Sequence, residues 1–457
     1  MFKKVLIANR GEVAVLIEKV CRRASIPTVA VYSDADVGAP HVEGADEAVH
    51  IGGPRAVDSY ANIDKLIEAA RSTGAEAIHP GYGFLAESAA FSRACRDAGL
   101  VFVGPPPEVL QRVGDKAEAR RVAREAGVPV VPGSEGTVTD STALEIARSI
   151  GFPVLCKNVA GGGGIGITIA RDDEELRAAL CSNRAGPRQM VGDGALLLER
   201  YLERPRHIEV QVLSDARGTH LHLFERECSI QRRHQKMLEE CPSPLAAVPE
   251  GTRILEEMYE AALRVASAVG YSGMGTIEFL LEGSDFYFIE MNPRLQVEHP
   301  CTELTTGIDM IGSQLAIAAG EALRLRQEDI CRSGHVMELR ICAEDPARGF
   351  RPSPGRIDRF EVPGGDGIRV DSGVRSGYTV SPFYDSMIAK LVAAGANRVV
   401  ALERARAALD AFVVEGIKTN ISVHQEILRT DAFVKGELST RFIEDHLPIE
   451  ARGCTSF

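Results

Sequence analysis

Residues 275–300, GTIEFLLEGSDFYFIEMNPRLQVEHP, constrain the fold more tightly than any other stretch of the chain. Two β-like runs flank Glu282-Gly283-Ser284-Asp285, which is the pattern of a hairpin. Side chains alternate faces along a strand, so Glu278 and Leu280 share one face, as do Phe286, Phe288 and Glu290. A three-residue loop sets Glu278 opposite Glu290. Two facing carboxylates repel unless a cation lies between them. Mg²⁺ suits such a pair, completing its shell with phosphate oxygens and water, and Asn292 on the same face adds an oxygen ligand. The alternation continues through Arg294, Gln296 and Glu298, with Met291, Pro293, Leu295 and Val297 between them. A solvated strand face is the ordinary cause of alternation. Such faces, however, are rich in Lys, Thr and Ser rather than in acid, amide and guanidinium at successive steps. Pro293 argues against a regular central strand beyond it.

Two further segments carry chemistry. The run Gly161-Gly162-Gly163-Gly164-Ile165-Gly166 lets backbone N–H groups approach phosphate oxygens. Lys157, at the end of the β-like run Pro153–Cys156, stands within reach of the same phosphates. This is not a Walker A loop, because no Gly-Lys-Ser/Thr follows. A flexible linker is the alternative, but linkers usually mix in serine. The basic run Gln231-Arg232-Arg233-His234-Gln235-Lys236 would by itself be a solvated face. Beside a carboxylate pair and a glycine loop it reads as an anion site. The formal net charge of -12 and the lack of interleaved aromatics exclude a general nucleic-acid role.

At roughly 100–200 residues per domain, 457 residues make two to four domains. The first part alternates strand and helix patterns: Val5–Ala8, Thr28–Tyr32, Ala77–His79 and Val101–Val103 as strands, Val13–Ala24, Ile63–Ser72 and Glu87–Ala98 as helices. That is a βαβ series with a mainly parallel sheet. Its first turn, Asn9-Arg10-Gly11-Glu12, lacks G-x-G-x-x-G, so a scaffold domain is the better reading than dinucleotide binding. The Gly-Pro run at Gly104–Pro107 marks a boundary, a second α/β segment begins near Asp115, and a third near Gly334. Ten scattered cysteines without CxxC read as small buried hydrophobes in a reducing, cytoplasmic setting. No stretch reaches the ~18 apolar residues of a membrane span, so no membrane role is expected. His220 and His222 have strand spacing but no third ligand nearby, which favours a structural role.

Taken together, the segments IANRGEV (Ile7–Val13), HPGYGFLAE (His79–Glu87), Gly161–Gly166, SIQRRHQKMLE (Ser229–Glu239), EMNPRLQVEHP (Glu290–Pro300), RICAEDP (Arg340–Pro346), YDSMIAKL (Tyr384–Leu391) and GIKTN (Gly416–Asn420) resemble the biotin carboxylase branch of the ATP-grasp superfamily. The similarity runs over nearly the whole chain and keeps the family's order. It implies an α/β protein of three domains: a Rossmann-like N-terminal domain (1–113), a central ATP-grasp domain (114–333) with a mobile lid (about 133–202), and a C-terminal α+β domain (334–457). It also implies an enzyme that uses ATP, Mg²⁺ or Mn²⁺ and bicarbonate to carboxylate biotin on a separate carrier protein, by way of carboxyphosphate. No biotin-attachment motif such as Ala-Met-Lys-Met occurs in the chain. The implied partners are a biotin carboxyl carrier protein, a second copy in a homodimer and a separate carboxyltransferase.

On the matched positions, Lys116, Lys157 and His207 would meet the nucleotide, with Gly163 and Gly164 over the phosphates. Glu199, Leu202 and Leu280 would surround the adenine, and Gln231 and His234 would also touch the nucleotide. Glu278, Glu290 and Asn292 would hold metal. Bicarbonate would lie against Lys236, Arg294, Gln296 and Val297, with Glu298 as general base. Arg340 would face the biotin ureido group beside Tyr82. The chain departs from the family's common pattern at Ile165, where a basic residue is frequent, at Asn158, where a small one is usual, and at Leu16, where many members have an arginine near the dimer contact. Acetyl-CoA carboxylase and fatty acid synthesis form one expected context; propionyl-CoA, pyruvate and urea-like acceptors are others. Two other readings remain at this point: another bicarbonate-using ATP-grasp ligase, and a catalytically weak nucleotide-binding component of a carboxylase complex.

Overall fold

The structure is a computed structural model and describes residues 1–134, 136–158, 167–185 and 196–447. Gly163, Gly164, Ile165 and the side chains of Lys157 and Asn158 lie outside the described residues. Five strands open the chain: β1 (Val5–Ile7), β2 (Thr28–Ser33), β3 (Glu47–Gly52), β4 (Ala77–His79) and β5 (Val101–Phe102). They pair in parallel in the order β3-β2-β1-β4-β5. Val5, Leu6 and Ile7 are all buried, as a central parallel strand with both faces covered requires. The βαβ reading missed β3. Its sequence, EAVHIG, is mostly exposed and shows no apolar run, because it is the edge of the sheet. Leu16, expected near a dimer contact, is buried in the core between this sheet and the next domain, with Leu213, Leu223 and Met274.

Three antiparallel strands, β6 (Val154–Asn158), β7 (Ile167–Ala170) and β8 (Leu196–Arg200), form a separate small sheet in the order β7-β6-β8. Its own core includes Ala143, Ala147, Cys156, Leu176 and Leu198. A small independent core makes this segment a subdomain of the central part of the chain.

The largest sheet has eight strands, all antiparallel. Six are β9 (Arg206–Ser214), β10 (His220–Arg232), β11 (Gln235–Cys241), β12 (Gly273–Glu282), β13 (Asp285–Asn292) and β14 (His335–Cys342). The strands Ile368–Ser372 and Met387–Gly395 complete it. The order is β13-β12-β9-β10-β11-β14, then Met387–Gly395 and Ile368–Ser372. The third segment begins with β14, yet it has no separate sheet there. Glu239 on β11 pairs with Glu338 on β14, so the central and C-terminal domains share one sheet. Helix Pro249–Ala268 packs against strands of the central part, whereas Arg398–Ala411 and Ile421–Arg429 pack against the C-terminal part. Among the described residues no helix is long and apolar enough to cross a membrane.

The hairpin of β12 and β13 corrects the sequence reading in an instructive way. Glu278 does stand opposite Glu290. The loop, however, has two residues, Gly283 and Ser284, because Glu282 pairs with Asp285. A two-residue loop alone would put Glu278 opposite Ile289. The register shifts between Glu278 and Phe279, leaving Ile289 as the extra residue of a β-bulge. The bulge also reverses the faces. Phe286 and Phe288 point into the core with Ile277, Phe279 and Leu281, and Met291 joins them after the bulge. Glu290 therefore does not share a face with Phe286 and Phe288; it stands with Glu278 on the opposite side. The strand ends at Asn292, as Pro293 required.

Candidate active site

Antiparallel pairing lines up one row of charged side chains across four strands. Arg226 on β10 faces Glu209 on β9, which faces Glu278 on β12, which faces Glu290 on β13. Successive rows on the same face bring Gln211, Thr276 and Asn292 together. Lys236 arrives from β11, and its Nζ donates to Glu209 at 2.6 Å, Glu278 at 2.7 Å and Glu298 at 2.8 Å. Arg340 on β14 donates from Nε to Glu239 at 2.6 Å and from Nη2 to Glu298 at 2.8 Å. The two oxygens of Glu298 are thus each held by a different cation. Arg226, fully buried, donates to Glu209 at 2.5 Å, to Gln211 at 2.8 Å and to Thr302 at 2.7 Å.

This constellation fixes charge states. Burial alone would raise the Glu298 carboxyl, but Lys236, Arg340 and Arg226 outweigh it and hold it well below the usual carboxylate range. Burial likewise opposes Glu278, and Lys236 and His207 pull it well down. Burial would deprotonate Lys236, yet Glu209, Glu278 and Glu298 keep it firmly an ammonium. Glu239 behaves differently: burial pushes it up to about 7 in spite of Arg340.

Around this centre the expected residues fall into three groups. Asn292 donates to Glu278 at 2.9 Å, His207 Nε2 lies 3.2 Å from Glu278, and Gln231 contacts His207 Nδ1 at 2.8 Å. Arg294 donates to Gln296 at 2.9 Å, to the Asn292 side-chain oxygen at 3.2 Å and to Glu87 of the N-terminal domain at 2.6 Å. Among the described residues Gln296 Nε2 is buried without a hydrogen-bond partner, a costly state that an anion at this position would relieve. A second group forms an apolar wall: Leu202 packs with Val131 and Tyr287, and Leu280 lies against them. Beside it Glu199 is ion-paired with Arg120, and Lys116 lies 3.0 Å from Glu290. In the third group, His234 stands exposed in the turn between β10 and β11 with φ of +65°. The Val297 carbonyl accepts from Lys390 at 2.8 Å, and the Tyr82 ring centre lies 6.0 Å from the same ammonium. His220 bonds Ser214 and His222 stacks on Tyr259, in line with structural roles.

The donor set fits a hard divalent cation. Glu278, Glu290 and Asn292 present carboxylate and amide oxygens on one side of the hairpin, the ligand type Mg²⁺ selects. Glu209 also belongs to this neighbourhood: its carboxylate, the Glu278 carboxylate and a His207 nitrogen lie within 4.8 Å of one another. Reading the sequence missed Glu209, Arg226, Glu239 and Lys390. The available signal was a charged residue inside an otherwise apolar strand, as in His207-Ile-Glu-Val-Gln-Val212, where both strand faces are buried.

Known proteins share this architecture. Residues 1–110 match the family model described as biotin carboxylase, N-terminal domain, residues 115–326 that of the carbamoyl-phosphate synthase L chain, ATP binding domain, and residues 338–445 the biotin carboxylase C-terminal domain. The chain is 49% identical over 452 residues to a biotin carboxylase of Halalkalibacterium halodurans, covering 98% of this chain and 99% of the relative. It is 48% identical over 452 residues to a biotin carboxylase of Pseudomonas aeruginosa, covering 98% and 100%. A crystal structure of the biotin carboxylase domain dimer of Hydrogenobacter thermophilus 2-oxoglutarate carboxylase, in complex with MgADP, ADP and bicarbonate, superposes with a TM-score of 0.89 at 46% identity, covering 98% of each chain. With the paired carboxylates, the cation-bridged Glu298 and these matches along its length, the chain belongs to the biotin carboxylase family.

Proposed function

We propose that this chain performs the first half-reaction of a biotin-dependent carboxylase, with Glu298 as the base and Lys236 and Arg340 as the cations that handle the anionic substrate. Its activity is the ATP- and bicarbonate-dependent carboxylation of biotin. The observation that carries the residue roles is Glu298 held between Lys236 and Arg340, at 2.8 Å from each.

The chemistry follows from that arrangement. Bicarbonate is a poor electrophile, and ATP activates it as carboxyphosphate. An entering bicarbonate competes with Glu298 for Lys236 and Arg340. As the cations turn to the substrate, Glu298 loses the charges that hold its pKa down and becomes a competent base for the bicarbonate proton. Gln296 Nε2 and Arg294 supply donors on the other side. Glu278, Glu290 and Asn292 would hold Mg²⁺, which neutralises charge on the transferring phosphoryl group when bound. Leu202 and Leu280 offer an apolar wall for the adenine, and Glu199, Lys116, His207, Gln231 and His234 complete the nucleotide side. Lys157, Gly163 and Gly164 would cover the phosphates. Arg340, freed from Glu298, would face the ureido oxygen, with Tyr82 nearby. We assign domain limits of 1–113, 114–333 and 334–457.

The same reading places the chain in the cytoplasm, as a homodimer working with a biotin carboxyl carrier protein and a carboxyltransferase. That carboxyltransferase chooses the final acceptor: acetyl-CoA, and so fatty acid synthesis, propionyl-CoA, pyruvate or a urea-like substrate. The test is phosphate release by the purified protein with Mg²⁺-ATP, with and without bicarbonate and free biotin. Release that requires bicarbonate and rises with biotin is expected. Release indifferent to both would refute the reading.

A further inference from the structure

Lys390 sits in the middle of strand Met387–Gly395 with 0% of its side chain exposed. Its Nζ donates to the Val297 carbonyl at 2.8 Å and lies 3.3 Å from Glu12 Oε2. A fully buried ammonium costs several kcal/mol to desolvate, and a methionine would fill similar space without that penalty. The charge therefore calls for a role. Its two partners come from different domains. Glu12 lies in the first turn of helix Gly11–Arg23 of the N-terminal domain, and Val297 belongs to the loop between β13 and helix His299–Thr306. Val297 is flanked by Gln296, whose Nε2 has no partner among the described residues, and by Glu298.

A second feature shows that the approach of Glu12 is built in. Gly373 follows strand Ile368–Ser372, and a Cβ there would lie 2.6 Å from the Gly11 carbonyl carbon and from the Glu12 nitrogen. Only a glycine lets the C-terminal domain come this close to the start of the helix. The groups facing Lys390 keep it charged. Burial favours the neutral amine, but Glu12, Glu338 and Asp371 prevail, and its pKa is raised. Burial pushes Glu12 up to about 7 against the pull of Lys390, so the proton of this pair stays on the lysine.

We propose that Lys390 is a positioning residue for the bicarbonate loop: by gripping the Val297 carbonyl, with Glu12 anchoring its ammonium, it sets where Gln296 and Glu298 stand. It acts through Val297 and need not touch substrate. The inference rests on the functional reading above, and the two fail separately: the reading is tested on the wild-type protein alone.

The experiment is steady-state phosphate release by Lys390→Met and by the double variant Glu12→Gln/Lys390→Met, with bicarbonate and ATP varied in turn, beside thermal melts. The double variant removes Lys390 together with its ion-pair partner Glu12, while Asp371 keeps its ion pair with Arg369 at 2.9 Å and burial keeps the Glu338 carboxyl's pKa raised. Loss of one charge-assisted hydrogen bond to the loop should raise the KM for bicarbonate about tenfold or more. The KM for ATP should stay within about twofold, since the nucleotide side is untouched. That split in a folded variant supports the proposal. An unchanged KM for bicarbonate in a folded variant, an equal rise in both KM values, or loss of folding in both variants overturns it. Absence of bicarbonate-dependent release by the wild type would instead refute the functional reading.

Discussion

Replacing Lys236 with methionine removes one positive charge from a balanced buried cluster. Glu209, Glu278 and Glu298 carry three negative charges, and Lys236, Arg226 and Arg340 supply three positive ones. Arg340 also meets Glu239, whose pKa of about 7 leaves it only partly charged near neutrality. Lys236→Met therefore leaves one uncompensated carboxylate, and breaking a buried pair in this way costs about 3–5 kcal/mol. The pH dependence is the sharper signature. In the wild type, Glu278 and Glu298 are depressed below their unfolded value of about 4.3. Their contribution to stability is present above that value and is lost as the pH falls through their folded pKa values. Without Lys236, burial, the largest influence on each, raises at least one of them above about 4.3. The sign then reverses: that group's contribution is full below about 4.3 and is lost as the pH rises through its new folded value. The gap between wild type and variant should therefore widen from about pH 5 to about pH 8. Urea denaturation at the two pH values, in matched salt, measures it. A gap under about 1 kcal/mol, far below the cost of an unpaired buried charge, would refute the reasoning, and so would one that is equal at both pH values. Phosphate release dependent on bicarbonate should fall about a hundredfold or more in the same variant.

Three further perturbations test neighbouring parts of the site. Glu298→Gln keeps the shape but not the base, so nucleotide binding by calorimetry should persist while carboxylation of biotin is lost; normal turnover would remove Glu298 from the mechanism. Arg226→Met leaves Glu209, Gln211 and Thr302 without their shared donor and should cost about 3–5 kcal/mol in denaturant midpoint terms, and a loss below about 1 kcal/mol would mean these contacts are dispensable. Glu290→Gln should raise the Mg²⁺ concentration needed for half-maximal phosphate release by about tenfold, and an unchanged Mg²⁺ titration would place the metal elsewhere.

Much of the fold was legible from local patterns. The buried run Val5–Ile7, the helices Gly11–Arg23 and Ile63–Thr73, and the short strand Ala77–His79 follow from apolar periodicity, which each segment carries within itself. The edge strand Glu47–Gly52 was not legible, because an exposed edge has no apolar run to announce it. The Glu278–Glu290 pairing was expected, but by a route that omitted the bulge. A bulge depends on how the partner strand packs, and Ile289 carries no mark of it.

Sequence alone determined which residue types are available for chemistry: the acid, amide and guanidinium steps of Glu290–Glu298, the basic run through Lys236, and the family whose segments they resemble. Tertiary structure decided which of them meet. Glu209 and Arg226 become central only when four strands set Arg226, Glu209, Glu278 and Glu290 in one row, and Glu239 only when β11 and β14 bring it against Arg340. Lys390 is separated from Val297 by 93 residues, and from Glu12 by most of the chain, yet its ammonium reaches both. The physical reason is range. Periodicity and turn chemistry act over a few residues, whereas the charge balance of a buried site is a sum over groups brought together by sheet register and domain packing, which no local stretch of sequence contains.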